Sequence, residues 1–301
     1  MSRIFDALQR AGVEQSGVEY QDVASMVKVL ENPTRPVSDA LETPDQVPTP
    51  VLQTLAEAPA QESADAALAK FPALEVSVAP LSRLVFLTEP QSIAVEKFRF
   101  LGVRLRQLRQ SRPLKKILIT STIPEEGKSL VSANLAGVLA RKKEKVLLIE
   151  GDMRRPVMAD KFGLGKIPGL AEWLQSGETT PSNIYRLEGA SFWLMPGGEP
   201  PARPLELMQS GKLAQLVAQM AAWFDWIIVD SPPLLPLADT TVWSRFTDGV
   251  LMVAREGKTE KAQLQRGLDL VKKSDLLGVV LNGCTNSNEK SYYQRYSPQT
   301  K

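Results

Sequence analysis

Residues 115–143 read KKILITSTIPEEGKSLVSANLAGVLARKK, and this stretch decides the fold class. Its first six residues form a mostly apolar run with β-branched side chains, which predicts a buried strand. From Leu130 onward the apolar residues continue for long enough to predict a helix, and Gly127 stands between the two elements. A strand that leads directly into a helix is the building unit of parallel sheets, so the stretch predicts an α/β fold.

The same alternation continues along the chain, and a basic helix is predicted just before it at 94–110. Further strands are predicted at 145–150, 191–195, 225–230, 249–254 and 277–282, and further helices at 130–143, at 204–223 with a break near Gly211, and around 259–273. Continuous apolar strands that alternate with helices are typical of a parallel sheet whose two faces are both covered. The predicted fold class is therefore α/β, with a parallel β-sheet flanked by helices on both faces.

Composition excludes several classes of protein. The 301 residues carry a net charge of +2, which does not indicate a nucleic-acid-binding protein. The chain has no histidine and one cysteine, Cys284, so Ser-His catalysis, Cys-His catalysis and most zinc sites are excluded. Apolar runs fall short of the roughly eighteen residues that indicate a membrane helix, and we expect a cytoplasmic protein.

Three regions are predicted. Residues 1–80 are expected to hold a short amphipathic helix at 2–11, or a frayed terminus without function, followed by a disordered tether. The tether is predicted because residues 31–80 contain eight prolines, which disfavour helix and supply little core. Residues 81–290 form the predicted catalytic domain. Residues 291–301 form a polar tail that carries three of the five tyrosines, Tyr292, Tyr293 and Tyr296.

The turn between the first strand and its helix, STIPEEGKS (121–129), is close to a phosphate-binding loop. The strict pattern G-x-x-x-x-G-K-[ST] has glycine where Thr122 stands. Backbone N–H groups at a helix N-terminus favour anions, so Lys128 is predicted to reach the phosphates of ATP and Ser129 to bind Mg²⁺. The alternative is an ordinary strand-to-helix turn. The predicted nucleotide-binding residues of the loop are Thr122, Pro124, Glu125, Glu126, Gly127, Lys128, Ser129 and Leu130.

Three acids stand at the carboxyl ends of two other strands. LLIEGDMRRP (147–156) supplies Glu150 and Asp152, and WIIVDSPP (226–233) supplies Asp230. Ligands of open parallel sheets bind outside the carboxyl ends of the strands, so these acids are expected to converge on the loop. Carboxylates there can hold Mg²⁺ or accept a proton, although single Asp residues after strands are also common turn formers. The predicted metal set is Ser129, Glu150 and Asp230.

With these motifs the chain resembles the bacterial protein-tyrosine kinases of capsule and exopolysaccharide synthesis, the BY-kinases, over roughly residues 83–296. STIPEEGKS is similar to their loop S-x-x-P-G-E-G-K-S, VLLIEGDMRRP to their second Walker motif, and WIIVDSPPLLPLAD to their Walker B segment. The resemblance implies a P-loop NTPase fold of the Min/Par-like type, with ATP and Mg²⁺ as cofactors.

The resemblance also implies roles for single residues. Lys128 would hold the phosphates, Asp230 would hold Mg²⁺, and Asp152 would accept the proton of the attacking tyrosine. Arg154 would neutralise charge on the phosphates or dock an acidic neighbour, and Asn282 would contact adenine. The tail tyrosines would be autophosphorylated between neighbouring subunits, which a flexible acceptor segment allows. The alternative is that these tyrosines pack back on the sheet or on a partner.

The function that the resemblance implies is an ATP-dependent tyrosine autokinase that regulates polymerisation and export of exopolysaccharide or capsule. Its expected activator is a transmembrane chain-length determinant, a polysaccharide co-polymerase, that holds the chain at the inner face of the membrane. A homo-oligomer is also expected. Two alternatives stay open. One is a Min/Par-like ATPase switch without kinase activity, and the other is a nucleotide-binding scaffold of the export complex.

Several positions depart from the family pattern. Glu125 stands where the family favours glycine, and a position that needs a positive φ would strain it. Glu126 matches the family, so its side chain is expected to point away from the phosphates. Glu150 replaces the usual aspartate, and Ile123 replaces the Min/Par signature lysine. Gly102 interrupts the family motif E-x-x-R-x-x-R, whose first two members here are Glu96 and Arg99.

Overall fold

The computed structural model describes residues 27–28, 64–79, 82–235 and 238–284. Its strands are β1 Val27–Lys28, β2 Ala73–Glu75, β3 Lys116–Ser121, β4 Val146–Glu150, β5 Tyr185–Glu188, β6 Phe192–Met195, β7 Trp226–Asp230, β8 Gly249–Arg255 and β9 Leu276–Asn282. Its helices are α1 Ala64–Ala69, α2 Val85–Thr88, α3 Ile93–Ser111, α4 Lys128–Ala140, α5 Met158–Lys161, α6 Leu170–Gln175, α7 Pro204–Met208, α8 Lys212–Trp223, α9 Asp239–Ser244 and α10 Lys261–Leu270.

The strands form one mostly parallel sheet in the order β1-β9-β8-β3-β7-β4-β6-β5-β2. The run from β9 to β6 is parallel throughout, which confirms the predicted α/β class with a parallel sheet. Two pairs are antiparallel, β5 with β6 and β1 with β9. Strand β5 was not predicted, because its four residues, YRLE, alternate polar and apolar side chains over too short a run to indicate a strand.

Side chains of the central strands alternate between two apolar layers. Ile117 and Ile119 of β3 pack in one layer with α3 and α4, and Leu118 packs in the other with α6 and α8. Both faces of the sheet are therefore covered, as predicted. Helix α4 is buried over almost its whole length, which explains why its sequence is apolar on every side instead of on one stripe.

The described fold begins earlier than the predicted boundary at residue 81. Residues 64–69 form α1, and residues 73–75 form β2, which pairs in parallel with β5 at the sheet edge. Leu68 of α1 is buried in the layer that contains α8. The predicted disordered tether is thus wrong for residues 64–79, where a few apolar side chains have a sheet edge to pack on. The predicted helix at 2–11 and the proline-rich segment before Ala64 lie outside the described residues.

The helix predicted at 204–223 is divided into α7 and α8. Gly211 has φ +82° and begins α8 as its N-cap, a left-handed conformation that glycine adopts without strain. The break that the sequence predicted at this residue is confirmed.

The basic helix α3 is partly exposed. Arg106 forms an ion pair with Glu144, and the Arg109 guanidinium lies 4.7 Å from the Trp226 ring centroid, so two of its cations are used inside the fold. Gly102 is buried against α4, so the position where the family motif has its third member faces inward here. Phe100 and Val103 are 47% and 41% exposed.

Candidate active site

The predicted acids converge because their strands are neighbours in the sheet. Asp230 ends β7, between β3 on one side and β4 on the other, and is the register partner of both Ile119 and Glu150. The N–H groups of Gly151 and Asp152 both donate to the Asp230 carbonyl oxygen, at 2.7 and 3.1 Å. The loop after β4 is thereby fixed beside the end of β7.

The loop STIPEEGKS has the backbone of an anion-binding turn. Gly127 has φ +98° and is the N-cap of α4, whose first residues are Lys128 and Ser129. Glu125 has φ +64°, the left-handed conformation expected from the family's glycine, so this glutamate is held in a strained region. A side chain added at Gly127 would lie 2.0 Å from Nδ2 of Asn282, so the loop needs glycine there.

The Glu126 side chain braces the loop from behind. It is buried, and its Oε2 accepts a hydrogen bond from the Ile123 N–H at 2.8 Å while its Oε1 accepts one from the Thr259 hydroxyl. Its side chain is therefore turned into the fold, toward the Ile123 N–H and Thr259. Nδ2 of Asn282 donates to the Glu126 carbonyl oxygen at 2.9 Å. The structure thus places the predicted adenine contact, Asn282, against the back of the loop.

The end of β8 and the turn that follows it contact the loop from the side. Lys258 Nζ lies 2.6 Å from Oε2 of Glu125, and Arg255 Nη1 donates to the Glu125 carbonyl oxygen at 3.2 Å. The Lys258 hydrogen bond and charge lower the pKa of the exposed Glu125 carboxyl. Lys258 and Arg255 therefore hold the strained Glu125 in place, while Thr259 holds the adjacent Glu126.

Lys128 lies between two carboxylates. Its Nζ is 3.1 Å from Oδ2 of Asp152, and both side chains are nearly enclosed. Burial by itself lowers the pKa of Lys128, but the charges of Asp230 and Asp152 outweigh it and leave the pKa above its usual value. Lys128 is therefore a firmly protonated cation beside the two acids.

Asp230 is fully buried and only half satisfied. Its Oδ1 accepts a hydrogen bond from the Ser132 hydroxyl at 3.2 Å, whereas its Oδ2 has no hydrogen-bond partner among the described residues. Burial raises the pKa of Asp230, and the Lys128 charge opposes that shift. A buried carboxylate oxygen without a donor is costly unless a cation or a water occupies it, so Asp230 fits a Mg²⁺ site beside Ser129.

Glu150 has a different environment from the one predicted for a metal ligand. Its Oε1 accepts the N–H groups of Val157 and Met158 at 2.5 and 2.8 Å, and its Oε2 accepts the Gly197 N–H at 2.8 Å. Burial raises the pKa of Glu150 to about 7 against the opposing effect of these hydrogen bonds. Within the described residues, no three His, Cys, Asp or Glu side chains are grouped as a metal site.

Arg154 forms an ion pair with Asp239, an acid that was not among the predicted site residues. Its Nε and Nη2 donate to Oδ2 and Oδ1 of Asp239 at 2.7 and 3.0 Å, a bidentate pair. The Asp239 hydrogen bond is the main reason that the pKa of Arg154 is raised further. Asp239 is buried at the start of α9, so the loop after β4 is fixed to α9 as well as to β7.

The remaining predicted site residues are Thr122, Pro124, Leu130 and the tail tyrosines. Thr122 is buried, with no hydrogen-bond partner for its hydroxyl among the described residues, and Pro124 is exposed at the tip of the loop. Leu130 lies in the first turn of α4. The tail tyrosines lie outside the described residues. Ser132, Asp239, Lys258 and Thr259 were missed, and of these only Asp239 had a signal, since it closes the quoted Walker B stretch.

Comparison with known proteins agrees with this geometry. A family profile described as ParA, NUBPL iron-transfer P-loop NTPase, matches residues 114–296. The chain is 33% identical over 211 residues to the tyrosine-protein kinase YwqD of Bacillus subtilis, a match that covers 69% of this chain and 89% of that protein. The chain belongs to the bacterial tyrosine-protein kinases, in the P-loop NTPase class.

Other members of the kinase family support the assignment. The solved kinase domain of the Escherichia coli tyrosine kinase ETK superposes with a TM-score of 0.63 at 27% identity, covering 68% of this chain and 82% of that one. The tyrosine-protein kinase ptk of Acinetobacter johnsonii is a longer protein that is 30% identical to this chain. The match covers 87% of this chain and 34% of that protein. In the part of this chain that the structure describes, no helix is long and apolar enough to cross a membrane.

Proposed function

We propose that the chain is an ATP-dependent protein-tyrosine kinase that transfers the γ-phosphoryl group to tyrosines of its own C-terminal tail. The observation that carries this proposal is the group formed by Lys128, Asp152 and Asp230 at the N-terminus of α4. It combines a buried cation for the phosphates with one paired acid and one acid whose Oδ2 is open. Family membership supports the reaction class.

Nucleotide binding changes the partners of Lys128 in this proposal. The loop N–H groups and the N-terminus of α4 attract the phosphates, and the Lys128 ammonium moves its contact from Asp152 to the phosphate oxygens. Asp152 is then left without its cation, close to the γ-phosphate. Ser129 and Asp230 would hold Mg²⁺, which would neutralise the charge that develops on the phosphates.

The transfer step needs a proton acceptor at the tyrosine. The phenolic oxygen attacks the γ-phosphorus, its proton passes to Asp152, and the bond from that phosphorus to the β–γ bridging oxygen breaks to release ADP. Arg154 is held by Asp239 at the edge of the site, where its charge can face the phosphates or an incoming acidic segment.

We propose that the acceptors are Tyr292, Tyr293 and Tyr296 of a neighbouring copy. The proposal places the acceptor on a second copy because an acceptor must approach in line with the leaving ADP. The exposed pair Phe100 and Val103 on α3, beside Glu96 and Arg99, supports a contact surface between copies. Regulation of capsule or exopolysaccharide export through a transmembrane chain-length determinant is part of the same proposal.

The test is incubation of the full chain with MgATP, followed by measurement of phosphotyrosine and of released phosphate. We expect phosphotyrosine in the tail by mass spectrometry, and its loss in Lys128→Met. The ParA-type profile match favours one competing function, an ATPase switch. Phosphate release without phosphotyrosine, also in the presence of the membrane activator's cytosolic segment, would establish the switch instead. ATP binding with neither product would establish the scaffold.

A further inference from the structure

Glu150 lies directly before the loop that carries Asp152 and Arg154. The hydrogen bonds that its side chain accepts come from the far end of this loop and from the segment after β6. The loop runs from Gly151 to the start of α5. Its first two N–H groups are held by the Asp230 carbonyl oxygen. Its last two, those of Val157 and Met158, are held by Oε1 of Glu150. The side chain of the residue before the loop therefore closes it into a ring.

The second oxygen ties this ring to the neighbouring strand. Oε2 accepts the N–H of Gly197, which follows β6, the parallel partner of β4. A Cβ at Gly197 would lie 2.8 Å from Cβ of Pro156 and 3.3 Å from Oε2 of Glu150, so the backbone approaches too closely for a larger residue. One carboxylate thus fixes three backbone N–H groups from two segments.

The length of the side chain is essential to this arrangement. An aspartate at position 150 would be one methylene, about 1.5 Å, shorter. Hydrogen bonds of 2.5–2.8 Å would then lengthen past the range in which N–H···O contacts stabilise a structure. The glutamate that departs from the family pattern is therefore the residue that the ring requires.

We propose that Glu150 is a positioning residue, which sets the geometry of Asp152 and Arg154 by closing their loop, and is not a ligand of Mg²⁺. The proposal rests on the proposed kinase function only for its effect on turnover. Its structural content, three backbone N–H groups held by one carboxylate, can be tested without turnover.

The variants are Glu150→Asp, Glu150→Gln and Gly197→Ala, with Gly177→Ala as the matched control because a Cβ there meets nothing within 4 Å. Hydrogen–deuterium exchange of the full chain is measured on peptides that contain Val157, Met158 and Gly197, with α8 as the internal reference. We expect exchange at these amides to rise about tenfold or more in Glu150→Asp and Gly197→Ala, with α8 and the control unchanged. Unchanged exchange at the three amides in Glu150→Asp would overturn the proposal.

Binding of a fluorescent ADP analogue, titrated with Mg²⁺, separates the two roles of Glu150. If Glu150 is a positioning residue, ADP-analogue binding by Glu150→Gln should depend on Mg²⁺ nearly as it does in the wild type. If Glu150 is a ligand, its loss should weaken Mg²⁺ binding about tenfold or more. The latter result would also overturn the proposal. If the wild type forms phosphotyrosine, Glu150→Asp should lower kcat about 10- to 100-fold with little change in KM for ATP. A wild type that forms no phosphotyrosine, also in the presence of the membrane activator's cytosolic segment, would reject the kinase function and leave the exchange and Mg²⁺ experiments decisive for Glu150.

Discussion

Glu150 and Asp230 are two buried carboxylates at equivalent positions on adjacent strands, but they differ in the hydrogen-bond donors around them. They end adjacent parallel strands, are register partners, and have no exposed surface. Burial is the main cause that raises the pKa of each. Three backbone N–H groups satisfy Glu150, whereas Asp230 has the side-chain hydroxyls of Ser132 and Ser129 beside it and an Oδ2 without a hydrogen-bond partner among the described residues.

The difference shows that burial and a raised pKa do not by themselves identify a catalytic acid. Both properties follow from removal of a charge from water, which happens equally to a structural and to a chemical carboxylate. What separates the two acids is the set of donors around each oxygen. An acid whose oxygens are occupied by the backbone holds the structure together, and an acid with a free buried oxygen is prepared for a ligand.

The largest effect is expected from Asp230→Asn, which removes the open carboxylate. Phosphotyrosine formation with MgATP should fall at least about 100-fold, because the amide cannot hold a cation against the phosphates. The melting temperature without Mg²⁺ should change little, because a neutral amide costs less to bury than a half-satisfied carboxylate, whereas the buried Lys128 ammonium loses the charge of one of its two acids. Retained phosphotyrosine in a folded Asp230→Asn protein would remove the distinction between the two acids.

The pH dependence of stability tests the other acid. The pKa of Glu150 is about 7 in the folded protein and 4.5 in an ordinary setting. Between these values the unfolded state has lost this proton and the folded state retains it, so the group's contribution to stability decreases as the pH rises. From pH 5 to 7.5 this amounts to about 2 kcal/mol in the free energy of unfolding.

Urea unfolding of the wild type and of Glu150→Gln, at pH 5, 6 and 7.5 without Mg²⁺, measures this contribution. Asp230 is present in both proteins, so the difference reports the ionisation of Glu150 together with its repulsion by the Asp230 charge. Glutamine does not ionise, and we expect the stability difference between the two proteins to shift in favour of the variant by about 2 kcal/mol across this range. A difference that is independent of pH would mean that the carboxyl keeps its ordinary pKa.

The sequence predicted where the two acids would be. Parallel strands must place their carboxyl ends at one edge, and apolar runs are easy to recognise, so Lys128, Asp152 and Asp230 could be expected to meet before the structure was known. The left-handed backbone at Glu125 agrees with the expectation that the resemblance raised, because the family favours glycine at this position.

The sequence did not predict what each acid touches. The donors to Glu150 come from Val157, Met158 and Gly197, and the last of these is brought close only by the pairing of β4 with β6. Every residue except proline has a backbone N–H group, so the sequence does not show which of these groups will donate to Glu150. The edge strand β2 was missed for a related reason, because three residues between prolines become a strand only when β5 offers them hydrogen bonds.

The smallest effect is expected at Glu125, an exposed acid in the same loop whose partner is a side chain. Glu125→Gly should raise the melting temperature by about 1–3 °C, because glycine relieves the left-handed strain at φ +64° and the lost ion pair with Lys258 is worth little at the surface. Phosphotyrosine formation should stay within about twofold of the wild type, since the Glu125 side chain faces Lys258 and solvent.

A double-mutant cycle with Lys258→Ala separates strain from charge. Lys258→Ala alone should lower the melting temperature slightly, because it removes the partner and leaves the strain. In the Glu125→Gly background the same change should have no further effect, since the carboxylate that it paired with is gone. If Glu125→Gly instead lowers the melting temperature and Lys258→Ala lowers it equally, the ion pair outweighs the strain. An exposed carboxylate would then act as Glu150 does in the core, as an anchor defined by its partner.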